Sequence, residues 1–228
     1  MQAIMETLFD VIYLAIILIL GFKMLSQAKG NKQYVLFGWM ALVLGFGDAF
    51  HLVPRMIALN TSGLADYVVA LGIGKLITSI TMTGFYVMLY HVWRLRYQIK
   101  DKRSLNILIY GLAILRIGLC LFPQNAWTQA DAPVLWGIYR NIPFAFMGLL
   151  MILLFHKQSR DCNDRNFRFM ALTIALSFLF YVPVVLWADA YPLIGMFMMP
   201  KTLAYVWTIW IGYQAMQNDF IDDSRTIQ

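Results

Sequence analysis

Apolar runs of roughly 18 or more residues recur along nearly the whole chain, and few folds can use so many. In lipid every backbone N–H and C=O has to be satisfied within the protein, so such runs become membrane-spanning helices. Of the 228 residues, 61% are hydrophobic and 13% charged, which leaves no stretch for a soluble domain of any size. The spans read as 8–25, 34–54, 67–93, 105–122, 133–155, 167–187 and 193–216. Connections run to about a dozen residues at most, so successive helices should pack as antiparallel neighbours. The expected fold is an all-α integral membrane protein, a seven-transmembrane-helix bundle over residues 1–216. A short tail, 217–228, is polar and should be flexible.

The basic residues orient the bundle. Lys23, Lys29 and Lys32 flank the first connection, Arg94, Arg96, Lys100, Lys102 and Arg103 the third, and Lys157, Arg160, Arg165 and Arg168 the fifth. With Arg225 of the tail, that places 13 of the 18 Lys and Arg on one side. The alternate connections hold none. The positive-inside rule then puts the N-terminus outside and the C-terminus in the cytoplasm, in a plasma or bacterial inner membrane. The net charge of +6 follows from these loops, which contact anionic lipid, and carries no argument for nucleic acid. The first span opens with Glu6 and Asp10 in place of a basic stretch, so it reads as a retained helix rather than a signal peptide. Cys120 and Cys162 fall near opposite faces, too far apart for a disulfide.

The other five cations, Arg55, Lys75, Arg116, Arg140 and Lys201, sit within the spans. Counting at about 1.5 Å per residue puts the last four, and the acid Asp48, roughly 9–12 Å below the outer boundary, with Arg55 at the boundary itself. Charged side chains facing lipid are costly, so the expectation is an interior cavity open to the outside. Spacing supports common faces: Asp48, His51 and Arg55 at i, i+3 and i+7; Lys75 and Ser79 at i and i+4; Lys201, Tyr205 and Thr208 on the last helix. Against five cations that layer offers one acid, Asp48, with Asp189 near the end of the sixth span. Arginine stays charged, so an anion is the expected occupant: a small anionic solute or an anionic lipid headgroup, held by Lys75, Arg116, Arg140, Lys201, Arg55 and Tyr205.

Catalysis is the alternative. Asp48 and His51 on one turn, with Ser79 opposite, would allow a membrane-embedded hydrolase or transferase acting on a phosphorylated lipid, the cations steadying its oxyanion. A zinc centre needs three or four ligands, and only His51 and Asp48 are neighbours. The alkaline ceramidase and adiponectin-receptor superfamily of seven-helix zinc hydrolases carries a histidine pair on its last helix. Lys201 and Tyr205 occupy that span here, so the resemblance ends at the metal site. A retinal-binding reading of Lys201 lacks carboxylates within the third and seventh spans. No cofactor is implied. Pro143, Pro183 and Pro200 fall inside the fifth, sixth and seventh spans, where each should free a carbonyl near the charged layer. The cytoplasmic halves hold few polar residues beyond Tyr90 and His91, which favours a receptor or lipid-site protein over a carrier. A receptor would need a separate cytoplasmic protein partner.

Overall fold

The computed structural model describes residues 2–188 and 190–226. Among them are seven α-helices and no strand: α1 Gln2–Gln27, α2 Lys32–Asn60, α3 Val68–Arg96, α4 Arg103–Leu121, α5 Val134–Asp161, α6 Met170–Trp187 and α7 Met198–Thr226. Short 3-10 turns, Leu64–Tyr67, Pro123–Asn125 and Pro192–Phe197, stand in three of the connections. Six helices, α1 to α6, are long and apolar enough to cross a membrane. The seventh has the length, but Tyr, Trp and Thr fill much of its run, and Lys201 interrupts it.

Each helix packs on its neighbour in sequence, and α1 also meets α7, so the seven close into a ring. Helix α1 shows why. Glu6, Asp10, Tyr13, Ile17, Leu20 and Met24 recur at alternating steps of four and three, and all are buried. The opposite face shows Leu8, Val11, Ile12, Ile16, Ile19 and Phe22, each large, apolar and exposed. Acids inside and aliphatics outside reverse the arrangement water would select, and suit a protein solvated by lipid. The centre is a continuous cluster including Phe37, Met40, Phe85, Tyr86, Phe144, Met147, Phe155, Phe167 and Ile209.

Two prolines exchange the places expected of them. The second span was read to end at Pro54, yet α2 runs on to Asn60 with Pro54 inside it. Lacking an N–H, Pro54 leaves the Phe50 carbonyl without its usual helical donor. That carbonyl faces α3, where a Cβ on Gly74 would stand 2.3 Å from its oxygen, so only glycine permits this approach. Pro200 falls in the first turn of α7, where a missing N–H costs nothing. Pro143 and Pro183 do lie within α5 and α6. Residues read as a tail from 217 onward are helical as far as Thr226.

Candidate functional site

The end of the bundle where α1 begins, called here the amino end, gathers the five intrahelical cations in four settings. Arg55 is tied to α1: its Nη2 donates to Glu6 Oε2 at 2.8 Å. Asp10 is buried beside the same pair and close enough to Asp48 to feel its charge. The acid count made from the sequence is thereby amended. Glu6 and Asp10 join Asp48, so three acids share the layer with the five cations. Asp189, the other acid expected to help, lies outside the described residues.

Arg140 on α5 does local work. Its Nη1 donates to Asn125 Oδ1 at 2.8 Å, and its guanidinium lies 4.4 Å from the Trp127 ring centre. Asn125, fully buried, passes its amide to the Leu119 and Phe122 carbonyls at 2.7 and 2.9 Å. Trp127 donates to Cys120 O at 2.9 Å. The side chain thus pins the connection from α4 to α5.

Lys75 is exposed on α3, close enough to His51 for their charges to interact. Ser79 donates to the Lys75 carbonyl at 2.7 Å, the back-bond common for serine within a helix. His51 Nδ1 is sealed from solvent with no partner, and Asp48 accepts from Tyr13 rather than from His51. Among the described residues no hydrogen bond joins Asp48, His51 and Ser79. Nor do three His, Cys, Asp or Glu side chains there group so as to hold a metal ion.

The fourth setting is the centre. Arg116 on α4 is 2% exposed, its guanidinium stacked 3.4 Å from the Phe144 ring centre. Its Nε and Nη1 are buried and find no hydrogen-bond partner among the described residues. Lys201 on α7 is 9% exposed, its Nζ 4.4 Å from the ring centre of Tyr181 and 5.5 Å from that of Tyr205. The charge of Arg116 reaches Lys201 and opposes it, while Asp48 attracts Lys201 from α2, beyond direct ion-pair contact. Asp48 is anchored by the Tyr13 hydroxyl at 2.6 Å. Aromatic rings pack around the two cations, Tyr86 lying edge-on to Phe144 at 4.9 Å and Phe85 edge-on to Tyr205 at 5.6 Å. The buried Tyr86 hydroxyl lies beside Ser177 and Tyr205.

Sequence reasoning missed a second ionic cluster at the opposite, carboxy end. Arg96, counted there only as a loop cation, is a hub for four elements. It holds Asp164 with two bonds of 2.9 and 3.1 Å and Asp219 on α7 with one of 2.6 Å. It also stacks 4.8 Å from the Phe167 ring centre. Tyr34 on α2 donates to Asp219 as well. Burial, reinforced by the charge of Asp164, pushes the neighbouring Tyr97 phenol up, so it stays neutral. These partners stand 62 to 123 residues from Arg96, and no spacing rule could pair them. A recess of about 890 Å³ opens beside the hub, lined by Arg96, Asp164, Arg165, Asn166 and Asn218. The charges of Arg96 and Asp164 are already spent on each other. The Arg116–Lys201 centre at the amino end has the stronger claim, because two Arg116 nitrogens there are not spent.

What the architecture defines is an all-helical bundle, most of whose helices could cross a membrane, with two buried cations, Arg116 and Lys201, inside it. The chain matches no protein-family model, and no curated protein and no solved structure is significantly similar to it.

Proposed function

We propose that this is a seven-span integral membrane protein, amino end outward, that binds a small anionic solute or an anionic lipid headgroup at Arg116 and Lys201. Tyr205 and Tyr181 frame the ligand, and Asp48 holds Lys201 in place from the far side. Arg55 and Arg140, already engaged, shape the layer. Lys75 stands at its edge, where it can draw an anion inward. Membrane lipids surround the bundle, and the ligand enters the outer half.

The observation that carries this reading is Arg116. A buried guanidinium is expected to find acceptors for its N–H groups, because leaving them unmet costs about 1–3 kcal/mol each. Here two of its nitrogens are sealed off without one. A ring face compensates the charge in part but accepts no in-plane hydrogen bond. An oxyanion supplies what is missing. Binding is favoured over turnover because, among the described residues, Asp48, His51 and Ser79 share no hydrogen bond, Asp48 being held by Tyr13 and Ser79 by the Lys75 carbonyl.

The test is thermal unfolding of the purified protein in an uncharged detergent, with inorganic phosphate, acetate or phosphatidylglycerol added. At least one should raise Tm saturably for the native chain. Arg116→Gln and Lys201→Ala should abolish the rise, whereas Arg55→Gln should preserve it. Equal responses in the native chain and Arg116→Gln would sink the proposal.

A further inference from the structure

Resting on that reading, we infer that the chamber takes an oxyanion of one negative charge, with two free oxygens, carried on an apolar body. The charge follows from what is sealed inside. Arg116 and Lys201 contribute two positive charges and Asp48 one negative charge. Around that centre, Arg55 with the buried Glu6 and Asp10 leaves one negative charge. Arg140, whose partners Asn125 and Trp127 are neutral, leaves one positive charge that offsets it, and Lys75 is exposed. One negative charge therefore neutralises the chamber. A second would itself be buried without compensation, the situation a low-dielectric site punishes most.

The oxygens follow from the donors. Among the described residues Arg116 Nε and Nη1 are buried and find no partner, on a side chain stacked against the Phe144 ring. Two oxygens can serve both. The apolar body follows from the walls. Phe144 meets Phe178 at 5.1 Å and Tyr181 at 6.1 Å, and the Tyr181 hydroxyl is occupied by Asn141, so aromatic rings make up much of the wall beside the cations. A carboxylate on an alkyl or aryl group has this chemistry, and so does the phosphodiester of a lipid. A free inorganic dianion does not.

The experiment measures affinities at pH 7, by thermal shift and calorimetry, on the purified full chain in uncharged detergent. Octanoate presents one charge, octyl phosphate nearly two, and octanol none. A short-chain phosphatidylglycerol presents the singly charged phosphodiester. Octanoate or the phosphatidylglycerol should bind at least about tenfold more tightly than octyl phosphate. Octanol should not bind, and Arg116→Gln should remove the difference. Binding of octanoate alone names a carboxylate, and of the diester alone a headgroup; either upholds the inference. Octyl phosphate binding as well as octanoate would overturn the single-charge inference while leaving anion binding intact. No response to any of the anions would overturn both.

Discussion

Replacing Arg116 by methionine should stabilise the protein when no ligand is bound, the opposite of what removing a buried structural cation does. Two sealed nitrogens without partners cost about 1–3 kcal/mol each. The Phe144 face, 3.4 Å from the guanidinium, returns about 2 kcal/mol in a desolvated setting. Methionine keeps most of the stem's packing and its sulfur suits an aromatic neighbour, so little else is lost. The balance favours Arg116→Met by about 2 kcal/mol, in line with apolar replacements of buried charges elsewhere. For a chain of 228 residues that is a rise in Tm of about 4–8 °C. The assay is thermal unfolding in uncharged detergent, with and without a saturating anion. The native chain should gain from the anion and the variant should not, so the two melting curves converge or cross as anion is added. A fall of several degrees in anion-free Arg116→Met would refute the reasoning. It would mean that the guanidinium is satisfied in place and serves the fold.

Arg96→Gln should cost about 3 kcal/mol in equilibrium unfolding, because it strands the nearly buried Asp164. Asp219→Asn should cost about 1 kcal/mol, since that side chain is 35% exposed and solvent screens its pair. Gly72→Ala should lower Tm by the equivalent of about 1–3 kcal/mol, because its Cβ would stand 1.4 Å from the Trp127 carbonyl oxygen and push the pinned connection away. Cys162 is exposed and Cys120 buried, so the native thiols report orientation. A membrane-impermeant maleimide should label inside-out vesicles and spare intact cells, and labelling of intact cells would reverse the proposed topology.

Helices were legible because a run of aliphatic residues has few alternatives in lipid, and all seven predicted runs overlap helices. Their ends were less legible. Pro54 looked like a stop signal, but α3 packs against it so closely, through Gly74, that the helix continues past the missing hydrogen bond. The polar residues after 217 looked like a tail because nothing in QNDFIDDS names Arg96 and Tyr34 as the partners awaiting Asp219. Glu6 and Asp10 were read as a reason to reject a signal peptide, and their burial against Arg55 could not be seen until α1 was placed on α2.

Among the cations, the sequence separated Arg55, Arg116 and Arg140 only by depth: one arginine per helix, Arg55 at the outer boundary and the other two roughly 9–10 Å below it. The structure separates them by the acceptor each one finds. Glu6 neutralises Arg55, and Asn125 with Trp127 occupies Arg140. Arg116 meets a ring face and nothing that accepts its Nε or Nη1. Depth alone therefore says little about role, because a cation costs the same to bury whether it braces a loop or awaits a ligand. What differs is whether the protein answers that cost itself. Where it does, at Arg55 and Arg140, the charge is part of the fold. Where it does not, the remaining free energy is available to whatever anion enters, which makes Arg116 the residue on which the binding proposal stands.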